Sequence, residues 1–355
     1  MKLFECQHCA QLLYFENTGC ERCGHLLGYL PESAVLSALT PEDGGRWRAL
    51  VAPETLFRLC ANADHEACNW LLPADGRTSF CRACRHNRTI PDLAPPENLL
   101  RWQRLEAAKH RLIYALLRLG LPLVSLFDDP ETGLAFDFLA DFAPTPAGTA
   151  QVSTGHANGL ITINIIEADD AERERVRSAM AEPYRTLLGH FRHEVGHYYW
   201  ERLVRDGVWL TWFRTLFGDE RQDYATSLQA YHEGPPPDWQ EHFVSGYASA
   251  HPWEDFAETW AHYLHIVDTL ETAAAFGLRV RPTVGRDPAL AMTIEFDPYR
   301  QRDFDALIQA WLPLTYAVNS LNQSMGLPDL YPFVLAPTVL GKLRFVHGLI
   351  HRTTT

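Results

Sequence analysis

Residues 187–200 read Leu187-Leu188-Gly189-His190-Phe191-Arg192-His193-Glu194-Val195-Gly196-His197-Tyr198-Tyr199-Trp200. Within them His193, Glu194 and His197 form a His-Glu-x-x-His pattern. Residues four apart share one face of a helix, so two imidazoles at that spacing can grip a single cation. The carboxylate sits one step round, within reach of a water on that cation. Zinc lowers the pKa of such a water to about 7, and the carboxylate then takes its proton as the water attacks a carbonyl. Leu187, Leu188, Phe191, Val195, Tyr199 and Leu203 give the same segment an apolar side, which predicts a helix over 183–205 and disfavours a chance match. Gly196 leaves room for a neighbouring backbone or a substrate, and His190 is expected at the cleft rim. The third ligand must come from elsewhere. The extension that adds a glycine and then a histidine would need them where this chain has Trp200 and Leu203.

Downstream stands His251-Pro252-Trp253-Glu254-Asp255-Phe256-Ala257-Glu258-Thr259-Trp260-Ala261-His262-Tyr263-Leu264-His265. Pro252 suits the first turn of a helix. Glu254 and Glu258 lie one turn apart on one face, so one can bind the metal while the other orients a histidine ligand from behind. We assign Glu254 as ligand and Glu258 as supporter; the exchanged roles are the main alternative and Asp255 a lesser one. Trp253, Phe256, Trp260 and Ala261 mark this helix as buried, and two buried carboxylates without a cation would be costly. His262 and His265 continue the face and are read as core histidines.

This helix pair resembles the gluzincin metallopeptidases, in which a later helix supplies a glutamate ligand. Glu254-Asp255-Phe256-Ala257-Glu258 looks like the Glu-x-Phe-Ala-Glu segment of the lethal-factor-type branch. That branch carries a tyrosine seven residues before its ligand glutamate, and the resemblance makes Tyr247 a proton donor or oxyanion stabiliser. Over nearly its full length the chain is similar to a bacterial family of zinc-binding metallopeptidases with an N-terminal zinc-ribbon domain. The similarity runs through Cys68-Asn69-Trp70-Leu71, Cys81-Arg82-Ala83-Cys84-Arg85, Arg88-Thr89-Ile90-Pro91-Asp92-Leu93, the stretch from Gly155 to Ile163 and the two helices. It implies a peptidase acting on a protein or peptide and leaves the substrate open. Gluzincins commonly hold substrate backbone along a strand ahead of the active-site helix, for which Gly159–Asn164 is the natural segment.

All eight cysteines fall within the first 84 residues. Cys6-x2-Cys9 and Cys20-x2-Cys23 are two knuckles that converge on one tetrahedral zinc. Cys60, Cys68, Cys81 and Cys84 have only one half in knuckle spacing, yet a second structural zinc is the leading reading, with His65 or His86 as substitute ligands. Nothing in the opening residues reads as a secretory leader, and no apolar run spans a bilayer, so a cytoplasmic, thiol-reducing location is expected. The net charge of −13 disfavours nucleic acid as a partner. The basic run Arg77, Arg82, Arg85 and Arg88 is read as solvated surface.

The expected architecture is therefore a small zinc-ribbon module of loops and short strands over 1–90, a Pro-rich linker over 91–96, and a mostly α zincin-type (α+β) metallopeptidase domain over 97–355. A strong helix should run from Glu97 to Leu119 and dock onto the second domain, with strands near Phe136–Phe138 and Gly159–Ile166. Further helices are expected over 169–181, 219–231, 253–275, 303–324 and 336–351, and the aromatic segment Trp209–Phe213 is assigned to the core. The cofactor expectation is three zinc ions, one catalytic and two structural. The functional expectation is peptide hydrolysis by a metal-bound water activated by Glu194; the alternative is a catalytically silent adaptor or regulator that binds a protein partner through its ribbons.

Overall fold

Short runs of apolar residues, broken by polar pairs, give the N-terminal region more sheet than its texture announces. In the computed structural model, which describes residues 1–141, 152, 154–179, 184–285 and 287–352, β1 (Phe4–Glu5) and β2 (Leu12–Leu13) form a ribbon beside the first cysteine set. Five consecutive strands follow as an antiparallel meander: β3 (Leu26–Leu30), β4 (Val35–Glu42), β5 (Arg46–Ala49), β6 (Leu56–Leu59) and β7 (Leu71–Pro73). Pairings such as Leu39 with Ala49 and Trp47 with Phe57 set its register. Leu30, Leu39, Ala49, Phe57 and Leu71 make its core. So five of the short strands expected in this module are joined into one sheet.

The chain folds as two units, Met1–Glu172 and Arg173–Thr355. After β8 (Asn87–Thr89), helix α1 (Pro96–Arg118) starts at a proline, whose missing N–H costs nothing at that position. Packing groups α1 with the first unit. Its Tyr114 joins Phe15, Tyr29 and Trp70 in an aromatic cluster, with Phe15 and Tyr114 centroids 5.4 Å apart. Its Arg101 pairs with Asp169 at 2.7 Å, so the chain as far as residue 169 is tied to it. A four-stranded sheet in the order β10 (Gly155–Ala157), β11 (Leu160–Asn164), β9 (Ala135–Leu139), β8 completes this unit. The segment expected as a substrate-pairing edge is thus interior, antiparallel to β10 on one side and parallel to β9 on the other, with its backbone groups already paired.

The second unit is helical: α3 (Leu187–Leu203), α4 (Leu210–Phe217), α5 (Tyr224–Glu233), α6 (Trp239–His242), α7 (Pro252–Ala275), α8 (Phe304–Ser324) and α9 (Pro337–His351), with α2 (Asp170–Ala179) before them and a small hairpin of β12 (Arg279–Val280) and β13 (Met292–Thr293). The Thr186 hydroxyl caps α3, accepting from Gly189 N at 3.0 Å, so the helix starts later than residue 183. Residues 180–183, at the expected start, lie outside the described residues. His251 caps α7, its Nδ1 accepting from Trp253 N at 3.1 Å. Of the aromatic segment 209–213, Phe213 is buried while Trp212 is half exposed. Among the described residues no helix is long and apolar enough to cross a membrane.

Candidate metal centre

The pairing of α3 with α7 builds the site. Gly196 permits it: a Cβ there would lie 2.9 Å from Ala257 Cα and 3.3 Å from Ala257 O. Tyr199 stacks on Trp260 at 4.9 Å beside that crossing. Arg192, buried, braces the same two helices through His265 Nδ1 and Asp268 Oδ2, each at 2.6 Å.

At this crossing His193, His197 and Glu254 converge. The two Nε2 atoms are 3.2 Å apart. Glu254 Oε2 lies 3.0 Å from His193 Nε2 and 3.5 Å from His197 Nε2. Ligands about 2.0–2.1 Å from a tetrahedral zinc stand about 3.3 Å from one another, so this triangle fits that ion. Glu254 Oε2 is buried and makes no aligned hydrogen bond among the described residues. An orphaned buried carboxylate oxygen facing two ring nitrogens is the signature of a cation position.

Glu258 stands behind the histidine. Its Oε1 lies 2.7 Å from His193 Nδ1, and its Oε2 accepts from Ser245 Oγ at 2.7 Å. That leaves His193 Nε2 for the metal and fixes the ring orientation. Asp255 is elsewhere, in an ion pair with Lys342 of α9 at 2.5 Å. Burial would raise Glu258, but His193 holds its pKa down to about 2. Burial would likewise depress His193, yet Glu254 and Glu258 hold it well above the ordinary imidazole range. Glu254 is held well down against its burial, by His197 and His193. The carboxylates thus stay ionised and demand positive charge, from protons or from a metal.

Glu194, one step round α3, points one oxygen at His190 Nε2, 3.2 Å away. Its other oxygen is buried with no hydrogen-bond partner among the described residues. Burial raises its pKa, and His190 with His193 and His197 more than offsets this. Tyr247 lies beside His193, with ring centroids 5.8 Å apart. Burial and the nearby Glu254 push its phenol far up, so it stays protonated. Tyr224 is a residue the sequence reading missed. It begins α5, and its hydroxyl donates to Glu254 Oε1 at 2.9 Å. His262 is buried, its Nδ1 facing Tyr331 OH at 2.7 Å, and His265 is half-buried against Arg192.

Both cysteine sets are also assembled. Cys6 and Cys23 Sγ are 3.7 Å apart, Cys9 and Cys20 3.6 Å, and Cys68 and Cys81 3.7 Å. Thiolates about 2.3 Å from a tetrahedral zinc stand about 3.8 Å apart, so these spacings suit one ion per set. All eight are free thiols. Neither reserve histidine joins the second set, since His86 Nδ1 faces Leu134 O at 2.9 Å and His65 is not among the metal-ligand groups formed by the described residues. His110 of α1, which was not foreseen, reaches the set instead, with Nε2 3.2 Å from Cys68 Sγ.

Comparison with known proteins also points to zinc. Residues 98–349 match a family model described as "putative zinc-binding metallo-peptidase", and residues 3–95 match a zinc-ribbon domain. An uncharacterized protein of Mycobacterium bovis and one of Mycobacterium tuberculosis are each 42% identical over 353 residues, spanning 99% of this chain and 95% of theirs. No solved structure gives a significant match.

Proposed function

We propose, from the premise that this chain belongs to that family of zinc-binding metallo-peptidases, that it hydrolyses peptide bonds at the α3–α7 crossing, on a domain of zincin type with a gluzincin ligand set. The observation that carries the reading is the triangle of His193 Nε2, His197 Nε2 and Glu254 Oε2 with an unpartnered Glu194 oxygen beside it. When bound, zinc supplies Lewis acidity to a substrate carbonyl and to the water beside it. Glu194, held ionised by His190, accepts a proton from the attacking water through Oε2 and returns it to the leaving amine. Tyr247, kept protonated, donates a hydrogen bond to the oxygen on which charge develops. Tyr224 and Glu258 orient the ligands without touching substrate. An adaptor that only held a cation would have no use for a buried, ionised base next to it.

The test is a broad peptide library incubated with the zinc-loaded full chain and with Glu194→Gln. Wild type is expected to cleave, and the variant to lose at least about 100-fold while keeping its metal. A wild type inert on every peptide, together with a variant that behaves as wild type in cells, would reject hydrolysis and favour the adaptor.

A further inference from the structure

Lys342 lies in α9 and is buried, although packing there asks only for apolar residues such as its neighbours Val339, Leu343 and Val346. A buried ammonium is costly unless its three donors are met. Nζ donates to Asp255 Oδ2 at 2.5 Å and to the His242 carbonyl at 2.8 Å, and it lies 4.3 Å from the centre of the Phe243 ring. These partners come from opposite ends of one stretch of chain. His242 closes α6, and Asp255 lies in the first turn of α7. The residues between them include Ser245, which bonds Glu258, and Tyr247, which stands beside His193. Val244 and Ala248 bury this stretch, but apolar burial has no direction. One ammonium bonded to both ends does have direction, and it fixes the span that the loop must cross.

We infer that Lys342 is a positioning residue for the α3–α7 site: it clasps the two ends of the segment from His242 to Asp255 and so sets where Ser245 and Tyr247 stand. It is not itself a ligand. That Tyr247 then acts on a reacting oxygen rests on the peptide hydrolysis proposed above; the clasp does not.

Removing the lysine alone would strand the Asp255 carboxylate in the core. The test therefore replaces the pair with apolar side chains, Lys342→Met with Asp255→Leu, in the zinc-loaded full chain. Hydrogen exchange is read at the amides of Ala248, Ser249 and Ala250, which are bonded within the segment. It should quicken roughly 10-fold or more, while α3 and the middle of α7 exchange as in wild type. Unchanged exchange in the segment, or an equal rise in all three elements, would overturn the clasp. Should that pair not fold, Asp255→Asn alone weakens one end, and a smaller rise confined to the same amides is expected; its absence would overturn the clasp as well. On a peptide that wild type cleaves, kcat of the pair should fall roughly 10–100-fold with KM unchanged, because the contact with Tyr247 is made only in the transition state. In a Tyr247→Phe background the same two substitutions should cost nothing further. A loss that multiplies with that of Tyr247→Phe, or one confined to KM, would overturn the route through Tyr247. A wild type that cleaves no peptide would reject hydrolysis and with it that route, and the exchange result alone would decide the clasp.

Discussion

Glu258 sits in no proposed coordination sphere, yet it sets how well His193 can act. It fixes the Nδ1 side of the ring at 2.7 Å while Ser245 fixes Glu258 in turn. Replacing its carboxylate with an amide, Glu258→Gln, keeps the shape and removes the charge. Zinc affinity, read by competition with a chromophoric chelator, should fall by roughly 10–100-fold. Unchanged affinity would mean that Glu258 only packs. His193, Glu194 and His197 were legible because their geometry is local, written in the 3.6-residue period of one helix. The Glu254–Glu258 pair was legible for the same reason, and in the structure Glu254 faces His193 Nε2 while Glu258 faces Nδ1. Tyr224 was not legible. It reaches Glu254 across 30 residues, and nothing near it in sequence marks a ligand's partner. His110 was hidden differently, as one polar residue of a helix whose contacts with the cysteines run across 26 and 42 residues.

Elements were legible where a long period repeats. The helices α7, α8 and α9 begin and end within a residue or so of expectation, because prolines and capping side chains mark their starts. The meander of β3 to β7 was not, since most of its strands, at three to five residues, carry too little alternation. Gly196 is where a single atom governs two elements. In Gly196→Ala the added Cβ meets the Ala257 backbone at 2.9 Å, which forces α3 and α7 apart. A loss of about 1–3 kcal/mol is expected, with a Tm lower by several degrees. Zinc affinity should drop too, since the ligands lie on both helices. Gly341 in α9 is the control: a Cβ there meets nothing within 4 Å. Gly341→Ala should stabilise by up to about 1 kcal/mol and leave metal binding alone. Equal effects of the two substitutions would disprove the tight crossing.

For the whole molecule, two divisions of the chain coexist. The family models meet between residues 95 and 98, at the proline-rich stretch that the composition marks, whereas packing divides the chain after Glu172. The difference lies in α1 and the sheet of β8 to β11, whose partners are far away in sequence and so carry no local signal. It has a consequence for metal removal. Both cysteine sets lie in the first unit, and each site is expected to contribute on the order of 10 kcal/mol to its folding. The second unit buries Phe191, Val195, Tyr199, Phe256, Trp260 and Leu264, and helices packed in this way keep their fold when a cation leaves. Metal analysis of purified protein should give about three zinc ions per chain, one for each of the three sites. Under a rising chelator concentration the ion at His193, His197 and Glu254 should leave first, with no change in helical circular dichroism, because protein atoms there leave one position open to solvent ligands while the thiolate sites are closed. The last two should leave together with the first unit's structure, seen as loss of near-ultraviolet signal from the Phe15–Tyr29–Trp70–Tyr114 cluster. Helix loss accompanying the first ion, or a metal-free chain as stable as the loaded one, would break the link between the cysteine sites and the fold of that unit.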